Sequence, residues 1–377
     1  MPQLILPYQS SFIAGRSITD NVIIAQEIIH SMRLKKGKRG WVAVKVDLEK
    51  AFDRLRWDFI EDTLNDAGLP SNLINVIMTC ISTASMQILW NGSPTEEDRP
   101  SRGVRQGDPM SPYVFVLCME RLSQAINLHV NKGHWKAIKL GRSGPLLSHL
   151  FFADDLILFG SSDDEQIDLM KFIIDEFCVS SGHKVSGSKS NIFLSRQIPT
   201  RDAFRICNKL GYQLTDNLGK YLGVPLLHSR VNKSTYAYIE EKVKQKLSGW
   251  NARNFSLAGR ITLAKAVLSS IPLYTMQTSQ LPASLCSKLE KITRDFIWNS
   301  TVDQHRTSLV SRKKMCRPQQ FCGCGLKKLS SQNQALLMKI GFALISRPDQ
   351  LWVQVLRAKY KWSPEGRVPP NVINCSA

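Results

Sequence analysis

The 377-residue chain lacks any apolar run of the length that crosses a membrane, which is about 18 residues or more. Its first residues, 1–4, lack the basic segment and apolar core of a secretory signal. Nine cysteines are scattered along the chain without the spacing of a disulfide framework, as is typical of a reducing compartment. These absences predict a soluble, intracellular protein without a membrane partner, and they do not separate nucleus from cytoplasm.

Acidic residues are scarce in the second part of the chain. Residues 229–377 contain 24 lysines and arginines but only 7 acidic residues, whereas residues 1–228 contain 26 and 24. Most of the formal net charge of +19 therefore lies in residues 229–377. Lysine and arginine neutralise phosphates in a salt-sensitive, sequence-independent way, so this part is predicted to bind nucleic acid. The alternative, a generally basic surface, would not leave the first 228 residues almost neutral.

Two adjacent carboxylates, Asp154 and Asp155, interrupt the apolar stretch 151–159. Aspartate disfavours strands and favours turns, so the stretch predicts a β-hairpin with both carboxylates at its tip. Neighbouring carboxylates repel each other unless a cation lies close, and Mg²⁺ is commonly held by one or two carboxylates together with substrate phosphates. Taken alone, an ordinary acidic turn is the simpler interpretation.

A third carboxylate, Asp47, follows the alternating valines of segment 42–46, which predict a strand. Residues 49–60 then have the spacing of a helix with one apolar face. A carboxylate at a strand end and an aspartate pair on a hairpin tip can share two metal ions. Such a pair of ions stabilises the attacking and leaving oxygens of a phosphoryl displacement. The combination predicts the palm of a template-directed polymerase.

Between these carboxylates lies a turn-rich segment, residues 101–112, followed by the apolar-periodic segment 113–128. Ser111 before Pro112 fits a helix N-cap with proline in the first turn. Gly107 would let the backbone come close to a bound nucleotide or template base.

Six blocks in this order resemble the reverse transcriptase of non-LTR (LINE-type) retrotransposons, above all the lineage abundant in plants. The resemblance begins near Gln9, and the blocks are residues 12–21, 45–53, 103–112, 152–155, 181–190 and 221–226. The fifth block departs from the usual pattern at Ser186, where the family more often has asparagine. The resemblance implies an α+β fold: a polymerase right-hand palm with partial fingers over residues 1–228, then a basic, mainly helical thumb and connection region over residues 229–377.

The resemblance also implies roles for individual residues. Asp47, Asp154 and Asp155 would hold Mg²⁺, with Mn²⁺ as an alternative. Lys189 would stabilise or protonate the departing pyrophosphate, and its alternative role is that of a solvated surface lysine. Phe52 would be a steric gate that rejects a 2′-hydroxyl, and its alternative role is that of a core residue on a helix face.

Contacts with substrate follow from the same resemblance. Arg16 would bind the incoming triphosphate, since a guanidinium fork suits phosphate oxygens. Gln106 and Gly107 would contact the nascent base pair. The primer grip would be formed by Tyr221, Leu222 and Gly223.

The expected partners are an RNA template, a DNA primer and deoxynucleoside triphosphates; no oligomeric state follows. Family members carry an endonuclease domain and more fingers sequence before the block that begins here near Gln9. We therefore expect a chain truncated at both ends that relies on a separate endonuclease activity. The two functional hypotheses are an RNA-directed DNA polymerase and a catalytically silent nucleic-acid-binding remnant. An RNA-dependent RNA polymerase is disfavoured by Phe52.

Overall fold

The computed structural model describes residues 1–37, 39–227, 233–250, 254–299 and 307–362. The chain divides into two compact units. Unit 1 contains the described residues 1–227 and 349–362, and unit 2 contains those between 233 and 348. The predicted boundary at 228/229 lies in segment 228–232, outside the described residues.

Unit 1 combines helices with short strands. Its elements are α1 (Ile18–Leu34), β1 (Trp41–Val46), α2 (Ala51–Arg54), α3 (Trp57–Asp66), α4 (Ser71–Ser82), β2 (Leu89–Trp90), β3 (Ser93–Pro94), α5 (Ser111–Asn131), β4 (Ile138–Lys139), β5 (Leu146–Leu147), β6 (His149–Phe152), β7 (Asp155–Ser161), α6 (Asp164–Ser181), β8 (Asn191–Leu194), α7 (Thr200–Leu210), β9 (Gln213–Leu214), β10 (Lys220–Tyr221) and β11 (Val224–Pro225).

The central sheet of unit 1 has five strands in the order β6-β7-β1-β8-β9. Strand β1 is antiparallel to both β7 and β8, and β8 is parallel to β9. The valines at 42, 44 and 46 are buried in one hydrophobic core with side chains of α3, α5 and α6. Burial of these valines fixes the register of β1 in the sheet. Asp47 directly follows the last residue of this strand.

The helix predicted over residues 49–60 is wrong in one respect, because the chain is interrupted at Leu55 and Arg56. Both residues have extended ψ angles, of 123° and 140°. The Arg56 amide donates to the Ser181 carbonyl (2.9 Å), and the Leu55 carbonyl accepts from the Gly103 amide (2.6 Å). These tertiary hydrogen bonds replace helical ones, a competition that a local pattern cannot reveal.

The predicted start of α5 is displaced by one residue. Met110 is the N-cap, and Ser111 is already the first helical residue. The carboxylate of Asp108 accepts a hydrogen bond from the Met110 amide (2.8 Å). Asp108 thus provides the side-chain oxygen that accepts a main-chain hydrogen bond at the start of α5, a role that Ser111 was expected to have.

Unit 2 is mainly helical, as expected for this part of the chain. Its described elements are a 3₁₀ turn (Lys233–Tyr236), α8 (Ala237–Ser248), α9 (Leu257–Leu263), a π turn (Ala264–Leu268), α10 (Leu273–Met276), α11 (Ala283–Ile297), α12 (Arg312–Met315), a 3₁₀ turn (Gln319–Phe321) and α13 (Leu329–Ser346). A separate hydrophobic core joins these helices.

The last described helix, α14 (Leu351–Tyr360), belongs to unit 1. It packs beside α1, where the Lys359 ammonium bonds the Glu27 carboxylate (2.6 Å) and the Tyr360 hydroxyl donates to the same carboxylate (2.9 Å). The second domain was expected to comprise residues 229–377, but α14 lies within that range and belongs to unit 1 rather than to unit 2. Among the described residues, no helix is both long and apolar enough to span a membrane.

Candidate active site

The register of the central sheet brings two of the three predicted carboxylates together. Val46 at the end of β1 lies opposite Leu156 of β7. The next positions along these antiparallel strands are Asp47 and Asp155, which therefore meet at the same edge. Asp154 occupies the turn before β7. Asp154 and Asp155 are exposed, and Asp47 is half-buried.

The electrostatics of this edge show the proximity of the three carboxylates. The pKa of Asp155 is raised, first because surrounding protein removes part of its solvent shell, and then because Asp154 and Asp47 repel its charge. The ammonium of Lys45 acts in the opposite direction. The arrangement concentrates negative charge at a solvent-accessible edge.

The turn that carries Asp154 is held by hydrogen bonds to Ser11 and Gln9, for which the sequence patterns predicted no such role. Ala153 has a φ of +51°, in the left-handed region. Its amide donates to the Ser11 hydroxyl (2.8 Å) and to the Gln9 side-chain carbonyl (3.3 Å). Both side chains are 1% exposed. Their segment has no periodicity, and only its place next to the first family-like block could have drawn attention to it.

The main chain of Asp47 is fixed by the block 186–190. Its amide donates to the Ser190 hydroxyl (3.1 Å), and its carbonyl accepts from the Ser186 amide (2.8 Å). Lys189 is exposed in the same loop. The structure therefore brings Lys189 to the neighbourhood of Asp47, while its role in pyrophosphate release stays a prediction.

Phe52 in α2 is half-buried and stacks on Phe115 of α5, with ring centroids 4.2 Å apart and an interplanar angle of 14°. Its carbonyl accepts from the Val104 amide (2.9 Å). The ring thus has a fixed orientation supported by the core. Such support suits a rigid gate as well as a purely structural residue, so the gate stays a prediction.

Gln106 and Gly107 lie in the exposed loop before α5. Gly107 has a φ of +92°, and a Cβ built there would meet no atom within 4 Å. Gln106 lines an open cavity of about 360 Å³ together with Arg102 and Arg105. The loop therefore presents polar side chains and accessible backbone.

Arg16 has a different environment from the one expected. Its guanidinium donates to the carbonyls of Leu6 (2.6 Å), Gln9 (2.6 Å) and Ile5 (2.7 Å). Burial lowers its pKa, against the opposing effect of Glu120. In this structure Arg16 organises the N-terminal segment, and a triphosphate contact stays a prediction.

The predicted primer grip is a β-hairpin. Tyr221 is fully buried and pairs with Val224, and the turn between them consists of Leu222 (φ +49°) and Gly223 (φ +78°). The Asn21 side-chain amide lies 3.5 Å from the Tyr221 hydroxyl. The hairpin is thus anchored to α1, and its turn residues are more accessible than Tyr221.

The donor set at the carboxylate edge fits a hard divalent cation. In the described part of the chain, no three or more His, Cys, Asp or Glu side chains form a ready-made metal cluster. Mg²⁺ does not require one, since it commonly takes one or two carboxylates and completes its shell with water and substrate phosphates. The repulsion that raises the pKa of Asp155 is the kind that a cation relieves.

Comparison with known proteins agrees with the geometry. The family model described as reverse transcriptase (RNA-dependent DNA polymerase) matches residues 1–226. The chain belongs to this family. The resemblance to non-LTR retrotransposon enzymes is confirmed, and so are the palm and the helical region after it.

Two curated relatives come from retrotransposable elements. The 149 kDa protein of transposon TX1 from Xenopus laevis is 23% identical over 365 residues, which are 96% of this chain and 27% of that protein. The Pol polyprotein of the type-2 element R2DM from Drosophila melanogaster is 30% identical over 156 residues, 41% of this chain and 14% of the relative. The matches thus span only 27% and 14% of these two proteins.

Among solved structures, a telomerase from Candida tropicalis, in complex with a fragment of telomeric RNA, is 13% identical. The match covers 92% of this chain and 52% of that one, with a TM-score of 0.45.

Proposed function

We propose that this chain is an RNA-directed DNA polymerase of a non-LTR retrotransposon that adds deoxynucleotides to a primer 3′-hydroxyl. The observation that carries the proposal is the register of β1 and β7, which sets Asp47 and Asp155 at one edge with Asp154 on the adjoining turn. Membership of the reverse transcriptase family supports the same activity.

Asp47, Asp154 and Asp155 would hold Mg²⁺, or Mn²⁺ in its place. Bound there, two such ions would stabilise the attacking and leaving oxygens of the displacement. The protein contributes the position of the carboxylates: Ser190 and Ser186 fix the main chain of Asp47, and Ser11 fixes the turn before Asp154.

The remaining residues would bind substrates. Phe52 would exclude ribonucleotides by contact with the 2′-hydroxyl, Lys189 would neutralise the pyrophosphate, and Arg16 would contact the triphosphate if its guanidinium leaves the main-chain carbonyls. Gln106 and Gly107 would border the nascent base pair. The primer end would lie on the hairpin turn formed by Tyr221, Leu222 and Gly223.

The template RNA and the DNA primer would also be held by the basic second part of the chain, which carries most of the net charge. This charge distribution supports a second candidate function, nucleic-acid binding without catalysis. Target nicking would come from a separate endonuclease activity.

Primer extension on an RNA template with deoxynucleotides and Mg²⁺ tests the proposal. Asp154→Asn should abolish extension and leave template–primer binding intact, because it removes a charge without changing side-chain size. The matched control is Asp62→Asn, at an exposed position on α3, which should extend like the wild type. A wild type that binds in a salt-dependent way but does not extend would leave the binding function alone.

A further inference from the structure

Two large aromatic rings are exposed side by side on unit 1. The side chains of Phe12 and Tyr113 are 50% and 47% exposed. Their ring centroids are 6.3 Å apart, and the rings meet edge to face at 65°. A single exposed aromatic residue is ordinary, but a pair held edge to face offers a ligand the face of one ring beside the edge of the other.

The backbone of Phe12 holds its ring at the surface at an energetic cost. Phe12 has a φ of +56°, a region that a bulky residue rarely adopts. The flanking chain enforces it: the Ser11 amide donates to the Gln9 side chain (2.9 Å), and the Arg16 amide donates to the Ile13 carbonyl (3.2 Å). Strained backbone of this kind is concentrated at functional sites.

Both rings are close in the chain to elements of the candidate active site. Phe12 follows Ser11, whose hydroxyl accepts from the Ala153 amide in the turn that carries Asp154. Tyr113 lies in the first turn of α5, directly after the loop that contains Gln106 and Gly107. The aromatic pair therefore borders the region where a nascent base pair would lie.

The primer hairpin and the segment before Phe12 are attached to different strands of the central sheet. The primer hairpin reaches β1 through a hydrogen bond from Lys45 to the Lys220 carbonyl (2.8 Å). The segment before Phe12 instead pairs with β6, where Gln9 bridges Phe151. Strand β7, with Asp155, lies between β6 and β1. The segment of Phe12 is thus attached to β6, whereas the Lys45 bond joins the primer hairpin to β1. The hairpin also reaches α1, where the Asn21 amide lies 3.5 Å from the Tyr221 hydroxyl.

We propose that Phe12 and Tyr113 form a stacking surface for a base of the template strand next to the nascent pair. This inference rests on the proposed function, since it needs a template–primer duplex at the carboxylates. Stacking on aromatic side chains suits a template because every base has a π-face, and it is therefore tolerant of sequence.

The test measures binding of a labelled RNA–DNA template–primer by fluorescence anisotropy, without metal or nucleotides. Phe12→Leu and Tyr113→Leu keep apolar volume but remove the ring, and each should weaken binding about 5- to 100-fold. Tyr113→Phe keeps the ring and should bind like the wild type. Phe172→Leu and Phe204→Leu are matched controls, because these side chains are 52% and 61% exposed elsewhere on unit 1, and they should have no effect.

A second substrate series separates stacking from a structural role. Abasic template nucleotides are placed, one at a time, at and beside the nascent pair. At one position the abasic site should weaken wild-type binding and cancel most of the difference between Tyr113→Leu and the wild type. A difference that persists at every abasic position overturns the proposal. So does unchanged binding by both leucine variants, or a wild type that does not bind at all.

Binding and extension are scored separately. A wild type that shows ring-dependent binding but no primer extension contradicts the proposed polymerase activity and leaves the stacking surface standing. If the wild type extends the primer but its binding is unchanged when either ring is removed, the stacking surface is contradicted and the polymerase activity stands. The positive φ of residue 12 could prevent Phe12→Leu from folding. In that case, the comparison of Tyr113→Leu with Tyr113→Phe tests the stacking surface.

Discussion

The ammonium of Lys45 donates a hydrogen bond to the main-chain carbonyl of Lys220, with 2.8 Å between nitrogen and oxygen. Lys45 lies on the central strand β1, two residues before Asp47, and Lys220 begins the hairpin β10–β11. The Lys45 side chain therefore connects two elements. One is the strand that leads to Asp47, and the other is the hairpin expected to hold the primer end.

Replacing Lys45 by methionine should loosen this hairpin. The variant keeps an unbranched stem but cannot donate a hydrogen bond. A net loss of about 1 kcal/mol raises the equilibrium constant for local opening, and with it the hydrogen-exchange rate, roughly 5-fold. Hydrogen exchange of the Leu226 amide, which donates to the Gly219 carbonyl (3.0 Å), reports the change directly. Under the proposed function, the KM for template–primer should rise with it.

Lys171 supplies the matched control for this prediction. Its ammonium makes the same kind of bond to the Lys209 carbonyl (2.8 Å), between α6 and α7. Lys171→Met should leave hairpin exchange and KM unchanged, and Lys45→Arg should restore both. Equal effects of the two methionine variants would contradict a specific link.

Gly103 should tolerate alanine far less well than Gly107. Both have positive φ, but a Cβ at Gly103 would lie 2.6 Å from the Asp53 carbonyl oxygen, whereas one at Gly107 meets nothing within 4 Å. The Gly103 main chain cannot shift easily, since it also bonds Leu55 (2.6 Å) and the Trp57 indole (2.8 Å). We expect a loss of about 1 kcal/mol for Gly107→Ala from left-handed strain alone, and at least twice that for Gly103→Ala. Urea unfolding measures both, and equal losses would contradict the clash.

Glu120 should make the free energy of unfolding depend on pH. The side chain is 4% exposed, and burial is the main cause that raises its pKa to about 7. The Leu6 amide, which donates to it at 3.0 Å, and the charge of Arg16 oppose this shift. Because the unfolded chain has the lower, ordinary pKa, the stability from the protonated carboxyl is full at low pH. It is lost as the pH rises from about 4.5 to about 7.

The variant Glu120→Gln removes this dependence and keeps an acceptor for Leu6. Relative to wild type, the free energy of unfolding of this variant should therefore increase by about 2 kcal/mol from pH 5 to pH 8, which means that the variant gains stability. Urea unfolding at the two pH values gives the number. Glu61→Gln, at an exposed position on α3, measures the effect of removing a surface charge. A pH-independent difference for Glu120→Gln would show that its native pKa is ordinary.

Asn333 should be a principal stabilising residue of unit 2. Its side chain is 2% exposed, accepts from the Leu281 amide (2.8 Å) and donates to the carbonyls of Met276 and Ser279 (both 2.9 Å). Asn333→Leu leaves three main-chain groups without these bonds, and we expect a loss of about 3 kcal/mol. Hydrogen exchange of residues 276–281 should accelerate. Gln334→Ala, on an exposed position of the same helix, should not change it.

Local sequence pattern was sufficient to predict strand β1 and the β6–β7 hairpin. The valines at 42, 44 and 46 alternate along β1 as predicted, and Asp154 and Asp155 lie at the turn of the β6–β7 hairpin. Each of these features depends on residues within one or two turns of each other, so a short window contains the necessary information.

Features that depend on distant partners could not be predicted. The break between α2 and α3 arises from bonds to Ser181 and Gly103, and Gln9 and Ser11 reach Ala153 more than 140 residues away. Arg16 was assigned from its motif position, but the motif does not contain the three carbonyls that surround its guanidinium. Motif matching identified which residues are near the site, and long-range hydrogen bonds determine what each of them contacts.

The return of α14 to unit 1 has a genetic consequence. Unit 1 is encoded by two separate stretches, and the second supplies the partner of Glu27 in α1. A stop codon anywhere in the intervening stretch 229–348 would therefore remove a helix from unit 1, although the proposed catalytic residues are all encoded upstream of it. An in-frame deletion of that stretch, with a linker in its place, would retain both parts of unit 1. A copy of the gene truncated in that stretch should therefore encode a less stable unit 1 as well as an incomplete unit 2.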